Sequence, residues 1–153
     1  MKKLFTLLAL TISFSMNAQM SDNSSHTSAT GTNAVAMGRN TTASGAYSTA
    51  MGLSTTASGS TSTAMGQFTT ASGTRSTAMG QSTTASGNYS TAMGQSTTAS
   101  DYASLVIGQY NSSGSSVTTS ASSFSTSNTA FVIGNGTAAY APFKSDAFKV
   151  MFN

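Results

Sequence analysis

Side chains capable of acid–base or metal chemistry are few and far apart in this chain. The carboxylates are Asp22, Asp101 and Asp146, the one histidine is His26, and glutamate and cysteine are absent. Paired-carboxylate catalysis needs two acids close together, and a Cys/His zinc site needs ligands that the chain lacks. These residue types predict that the protein is not an enzyme and that it holds no metal or other cofactor.

Two local features are similar to functional motifs but lack the surrounding residues that those motifs need. His26 lies in a polar Ser-Ser-His-Thr segment with no acid to orient it as a base. Gly134-Asn135-Gly136 is similar to a nucleotide-binding loop, yet no strand-then-helix unit surrounds it. We therefore interpret His26 as a surface residue and dismiss the glycine pair as a nucleotide site.

The composition excludes a conventional globular core and a nucleic-acid partner. Serine and threonine occupy 56 of the 153 positions, whereas Leu, Ile, Val and Phe together occupy only 22. The formal net charge is +3, and Lys2 and Lys3 supply two of those charges. The other basic residues are scattered, whereas phosphate binding needs them clustered.

The first 19 residues have the three-part layout of a secretory signal peptide. A basic start is followed by a mostly apolar run from Leu4 to Phe14 and then by small and polar residues. The apolar run is too short to span a bilayer as a helix, and we expect cleavage near Ala18 or Gln19. The sequence thus predicts an exported protein with no transmembrane segment in the mature chain, located at the cell surface or outer membrane or in the extracellular space.

A 14-residue repeat organises the middle of the chain. The unit TTASGAYSTAMGLS begins at Thr41, and later units begin at Thr55, Thr69, Thr83 and Thr97. Glycine recurs every seven residues, which is costly in a helix, and the pair after each glycine varies freely. The repeat therefore predicts an all-β parallel solenoid of 14-residue rungs, each with two strands and two turns. We expect glycine to supply the unusual backbone angles at each corner. The predicted turn glycines are Gly45, Gly52, Gly59, Gly66, Gly73, Gly80, Gly87 and Gly94.

Side-chain alternation along the strands assigns the faces of the solenoid. We expect the alanines to point inward, where only small side chains fit, and the methionines of the Met-Gly pairs to line an outer face. A monomer should not expose such a stripe, so the stripes of several chains are expected to meet. The opposite assignment, with methionine inside and alanine at the contact, remains an alternative. The predicted interface residues are Met51, Met65, Met79, Met93 and Ile107.

The pattern TTASGxxSTAMGxx, from about Gly31 to Tyr110, resembles the head repeats of YadA-like trimeric autotransporter adhesins. That resemblance implies a left-handed parallel β-roll, a homotrimer, and attachment to a host or extracellular-matrix surface. The coiled-coil stalk and membrane-anchoring barrel of those adhesins have no counterpart in the chain. Similar repeats also occur in anchor-less secreted surface proteins of Bacteroidetes-like bacteria, whose signal peptides resemble the segment ending in Asn17-Ala18-Gln19.

Five segments follow from these patterns. They are a signal peptide (1–19), a polar leader (20–30), the repeat domain (31–110), a Ser/Thr-rich loop or distorted rung (111–128) and cap strands (129–153). The last segment contains Asp146 to Phe152, which alternates as a strand does. It is interpreted as a cap or as the start of a truncated downstream module.

Two sets of surface residues are candidates for contacts with other molecules. The aromatic residues Tyr47, Phe68, Tyr89 and Tyr110 lie in the variable turns, where they contact a ligand or are simply exposed. The second set is a ladder of hydroxyls that suits an ice-binding solenoid, which is the alternative function. A trimeric fibre segment ahead of a chaperone domain is a further alternative, although the signal peptide disfavours it. The ladder pairs are Thr42/Ser44, Thr56/Ser58, Thr70/Ser72, Thr84/Ser86 and Thr98/Ser100.

Overall fold

The computed structural model of the protein describes residues 20–21, 26–111, 120–138 and 143–152. Within these ranges every regular element is a β-strand, and none is a helix. The predicted signal peptide and parts of the leader, of the Ser/Thr-rich segment and of the cap lie outside the described residues, at 1–19, 22–25, 112–119, 139–142 and 153. Parallel strands stack at a spacing of 14 residues, so the prediction of an all-β solenoid is confirmed.

Two sheets form the solenoid, and each repeat rung contributes one strand to each of them. Sheet A contains nine strands, which are mostly five residues long, and sheet B contains six strands of two residues. In spatial order, sheet A consists of β1 (Met20–Ser21), β3 (Val35–Arg39), β5 (Thr49–Leu53), β7 (Thr63–Gln67), β9 (Thr77–Gln81), β11 (Thr91–Gln95), β13 (Leu105–Gln109), β14 (Thr129–Asn135) and β15 (Asp146–Met151). Sheet B consists of β2 (Ser28–Ala29), β4 (Thr42–Ala43), β6 (Thr56–Ala57), β8 (Thr70–Ala71), β10 (Thr84–Ala85) and β12 (Thr98–Ala99).

Like residues stack on like residues, because each repeat strand pairs in parallel with the strand 14 positions away. Met51 faces Met65 in sheet A, for example, and β6 and β8 pair in the same manner in sheet B. The hydrogen-bond ladder also continues through the turns, where the Thr61 amide donates to the Ala46 carbonyl at 2.7 Å. This pairing satisfies backbone groups that a loose loop would leave to water.

Alanine fills the interior, as predicted from the alternation. Ala50 of sheet A and Ala57 of sheet B are fully buried, as are their counterparts in the other repeat rungs. The inward assignment of alanine is thus confirmed, and the alternative with methionine inside is wrong. Ser62 and Thr69 are also buried, and their hydroxyl oxygens have no hydrogen-bond partner. An interior of this kind buries little apolar surface and adds unpaired polar groups, so it stabilises the solenoid only weakly.

The turns are built differently from the expectation that glycine supplies the unusual backbone angles at each corner. The second residue of every variable pair has a positive φ although it is not glycine, as at Tyr47 (57°) and Ser54 (54°). In each rung, one turn follows the sheet B strand. The glycine before that turn, such as Gly59, has no positive φ, but a Cβ there would overlap the carbonyl oxygen of the glycine in the next rung. Of the eight predicted turn glycines, Gly45, Gly59, Gly73 and Gly87 lie at these turns, whereas Gly52, Gly66, Gly80 and Gly94 lie inside sheet A strands with φ between 116° and 122°.

The C-terminal end of the roll closes with larger side chains. Asp101 occupies the position that glycine holds in earlier rungs, and its carboxylate accepts a hydrogen bond from the Thr129 amide at 2.6 Å. Val106 and Val132 are fully buried where earlier rungs have alanine. Strand β14 pairs in parallel with β13, and β15 then pairs antiparallel with β14. The strand predicted between Asp146 and Phe152 is thereby confirmed over residues 146–151.

Candidate interaction surfaces

The outer face of sheet A carries an unbroken line of apolar side chains, here called the apolar ridge. Each member pairs in register with the next, so neighbouring side chains lie about one strand spacing, ~4.8 Å, apart. Members on the repeat strands are only partly buried, because no other described residue covers them. The apolar ridge consists of Met37, Met51, Met65, Met79, Met93, Ile107, Ile133 and Phe148.

The five predicted interface residues, Met51 to Ile107, all lie on this ridge. Sequence reasoning missed its two ends, which are Met37 at the N-terminal side and Ile133 with Phe148 at the C-terminal side. The signal for Met37 was the Met-Gly pair, and the signal for Ile133 was the Ile-Gly pair 26 residues after Ile107-Gly108. Phe148 gave no such signal, because its strand runs antiparallel and breaks the repeat.

The outer face of sheet B carries the predicted hydroxyl ladder, here called the hydroxyl face. Thr42, Thr56, Thr70, Thr84 and Thr98 pair in register from strand to strand. Their side chains are partly exposed, and the serine two residues after each threonine is exposed or partly exposed. No charged residue occurs in the strands of sheet B, so the described structure presents two parallel ranks of neutral hydroxyls here.

The turns that follow the sheet B strands form one long edge of the roll, here called the first turn edge. It carries Tyr47, which is 61% exposed, and Tyr89. The Arg75 guanidinium donates a hydrogen bond to the Tyr89 hydroxyl at 2.6 Å and lies 5.3 Å from the centre of that ring. Tyr102 contacts Tyr89 edge to face, at 5.3 Å between ring centres. Sequence reasoning missed Arg75 and Tyr102; the signal for Arg75 was that residues 75 and 89 hold the same turn position in adjacent rungs.

The turns at the ends of the sheet A strands form the other long edge of the roll, here called the second turn edge. Phe68 and Tyr110 lie on it, so the four predicted aromatic contacts are divided between two edges and do not form one site. The Gln95 side-chain amide donates to the Tyr110 hydroxyl at 2.9 Å. Gln81 and Gln67 stack one rung apart, with 3.5 Å between the amide nitrogen and oxygen. This edge is therefore rich in amides, and it also carries the exposed, charged Arg39.

The acidic side chains and the histidine do not form a cluster among the described residues. Among the described residues no group of three or more His, Cys, Asp or Glu side chains is placed to hold a metal ion. His26 is exposed. Gly134 pairs in register with Gly108, and the Gly136 amide donates to the Gln109 carbonyl, so the glycine pair continues a rung. Within the part of the chain that the structure describes, no helix is long and apolar enough to cross a membrane.

Comparison with protein families gives a match that covers the repeat rungs. Residues 29–55, 57–83 and 85–111, more than half of the chain, match the model of the YadA head domain repeat (2 copies). Neither the curated proteins nor the solved structures contain a significant match to the chain.

Proposed function

Because the chain belongs to the family of YadA head domain repeats, we propose that it forms a trimeric head that mediates attachment at the surface of, or outside, the bacterial cell. The family is characteristic of trimeric autotransporter adhesins, which are exported. The proposed role is structural and adhesive, without catalysis. It needs neither a cofactor nor a nucleic-acid partner.

The observation that carries this proposal is the apolar ridge. A side chain such as Met65 occupies the same outward position in every repeat rung, where it remains partly exposed in the single chain. The interior of alanine and unpaired hydroxyls stabilises the roll only weakly, so burial of the ridge must supply much of the missing free energy. Methionine packs adaptably against copies of itself, and a three-fold axis along the roll brings equivalent residues together.

In such a trimer the two turn edges and the hydroxyl face point outward. The turn edges carry the side chains that differ most between rungs, including the exposed Tyr47 and Phe68. Aromatic residues of this kind supply large contact area at low conformational cost, which suits recognition of another molecule. We therefore assign attachment to the turn edges, with Tyr47 and Tyr89 on one side and Phe68 and Tyr110 on the other.

The test is binding of the full chain to immobilised extracellular-matrix proteins and to host cells. Two double variants compare the edges, Tyr47→Ser with Tyr89→Ser and Phe68→Ser with Tyr110→Ser. We expect the parent to bind and one of the two variants to lose at least about tenfold in apparent affinity, as hot-spot aromatics do. A parent that binds none of the surfaces, or equal binding by both variants and the parent, contradicts the assignment.

The register of the hydroxyl face supports ice binding as a second candidate function. Its threonines repeat at about the strand spacing in five successive rungs with no charge between them, a periodic array suited to an ordered water lattice. Thermal hysteresis of the full chain, compared with a Thr56→Lys, Thr70→Lys, Thr84→Lys variant, tests this. Activity in the parent that the variant lacks supports ice binding, and no activity in the parent excludes it.

A further inference from the structure

The outer face of sheet A changes character at its C-terminal end. On β5, β7, β9 and β11 the residue two positions before the ridge is threonine, so each strand offers one apolar side chain. On β13, β14 and β15 the corresponding line is Leu105, Phe131 and Val150, which pair in register with one another. The apolar face is therefore two side chains wide over the last three strands. The C-terminal patch consists of Leu105, Ile107, Phe131, Ile133, Phe148 and Val150.

The side chains of the C-terminal patch are poorly covered by the part of the chain that the structure describes. Phe148 is 50% exposed, Val150 is 39% exposed and Leu105 is 36% exposed. Phe131 and Phe148 contact each other edge to face, with 6.0 Å between ring centres, so the two rings form one continuous surface. A contiguous exposed apolar patch with aromatic residues at its centre is typical of a protein contact.

We propose that the C-terminal patch is the clamp of the assembly, and that it is covered by the same patch of two further copies of this chain. The inference rests on the proposed trimer and specifies where that trimer is held together. The patch continues the apolar ridge, and β13 and β14 carry no charged residue, whereas β15 carries Asp146 and Lys149 next to Phe148 and Val150. A symmetric contact between identical chains needs a self-complementary surface, and the uncharged lines of the patch offer one.

The energetics of burial favour the patch over the repeat rungs as the main source of affinity. Strands β5, β7, β9 and β11 each bring one methionine and one threonine to the contact, and β3 brings Met37 with Val35, whereas the last three strands bring aromatic and branched side chains in both positions. Interfaces depend mostly on a few large apolar side chains near a well-packed centre. The ridge would then set the alignment of the chains, while the patch determines how tightly they associate.

The first experiment compares matched substitutions in the full chain by sedimentation equilibrium. Phe148→Ser with Val150→Ser removes the centre of the patch, and Phe68→Ser is the control. Phe68 is 53% exposed, and serine already holds the equivalent turn position at Ser54 and Ser82 with similar φ. We expect the concentration at half dissociation to rise by at least about a hundredfold in the patch variant and to stay unchanged in the control.

A second measurement does not depend on the folding of the double variant. The chain contains no cysteine, so Phe148→Cys and Phe68→Cys each introduce a single thiol at positions of nearly equal exposure in the isolated chain. We expect a water-soluble maleimide to label the thiol at 148 at least about tenfold more slowly than the thiol at 68, and both equally fast in denaturant.

The outcomes separate the clamp from the trimer itself. A parent that sediments as a monomer at every concentration overturns both proposals, even if the thiol at 148 is protected by another part of the same chain. If the parent is a trimer and the patch variant has the same concentration at half dissociation as the parent, the clamp proposal is wrong and the trimer proposal stands. If the parent is a trimer and the thiols of the Phe148→Cys and Phe68→Cys variants are labelled at equal rates, the clamp proposal is likewise wrong.

Discussion

At the scale of single residues, the narrow space between rungs determines which positions of the repeat must be glycine. Gly59 is buried at the start of a turn, where a Cβ would overlap the backbone of the next rung. Asp101 holds the equivalent position at the last regular rung, where no further 14-residue rung follows. A side chain fits there, and its carboxylate instead binds the Thr129 amide. The repeat therefore loses its glycine at the position where the steric constraint ends.

Substitution of Gly59 by alanine tests this account of spacing. The added methyl group must push the rung that contains Gly73 away, which strains the ladder on both sides, so we expect a loss of roughly 1–3 kcal/mol or more of stability. Ser60→Ala in the adjacent exposed turn is the control and should change stability by less than about 0.5 kcal/mol. Thermal unfolding followed by circular dichroism measures both. Equal melting temperatures for the two variants would show that the space between rungs accommodates a Cβ at position 59, which contradicts this account.

At the scale of elements, the rung is the unit, and its two halves are similar but not interchangeable. Both halves bury alanine and begin with a buried hydroxyl residue, such as Thr69 in one and Ser76 in the other. They differ on the outside, where the sheet B half presents Ser72 and the sheet A half presents Met79. Interior packing therefore tolerates either half in either sheet, whereas the apolar ridge requires the correct one.

Two deletions distinguish these roles. Removal of residues 69–82 deletes a whole rung and joins Phe68 to Thr83, which is equivalent to Thr69, so the roll and its assembly should persist with a slightly lower melting temperature. Removal of residues 69–75 deletes half a rung and moves every later strand to the other sheet, which divides the ridge between two faces. We expect β-structure without stable assembly, measured by circular dichroism and sedimentation. Trimers from both deletions would show that the ridge is dispensable.

The sequence predicted the features that repeat and missed those that depend on contacts between non-equivalent residues. Period, alanine interior and outward methionine all follow from spacing and alternation, and the structure has them at Ala50 and Met51. The positive φ of Tyr47 could not be predicted, because the variable pairs show no preference for glycine or asparagine, the residues that usually adopt this conformation. The pairing of Phe148 with Ile133 depends on an antiparallel return, which no repeat period encodes.

At the scale of the whole molecule, the weak interior and the apolar exterior point to the same conclusion. From β3 to β12 the rungs bury alanine, serine and threonine, while their larger side chains lie on the outer face of sheet A or in the turns, and only the C-terminal end buries valine, at Val106 and Val132. Charged residues are absent from β5 to β14. We therefore expect a chain of this composition to gain more stability from the proposed association along one face than from its own core.

Sedimentation of two matched lysine variants tests the central claim most directly. Met65→Lys with Met79→Lys places six charges along the proposed three-fold axis, each buried without a partner at a cost of several kcal/mol, on the order of 3–5. Thr70→Lys with Thr84→Lys places the same charges in the corresponding rungs on the outer face of sheet B, which points away from the axis. We predict that the parent and the threonine variant are folded trimers and that the methionine variant is not. A folded trimer of the methionine variant, or a folded monomer of the parent, would contradict assembly through the apolar ridge.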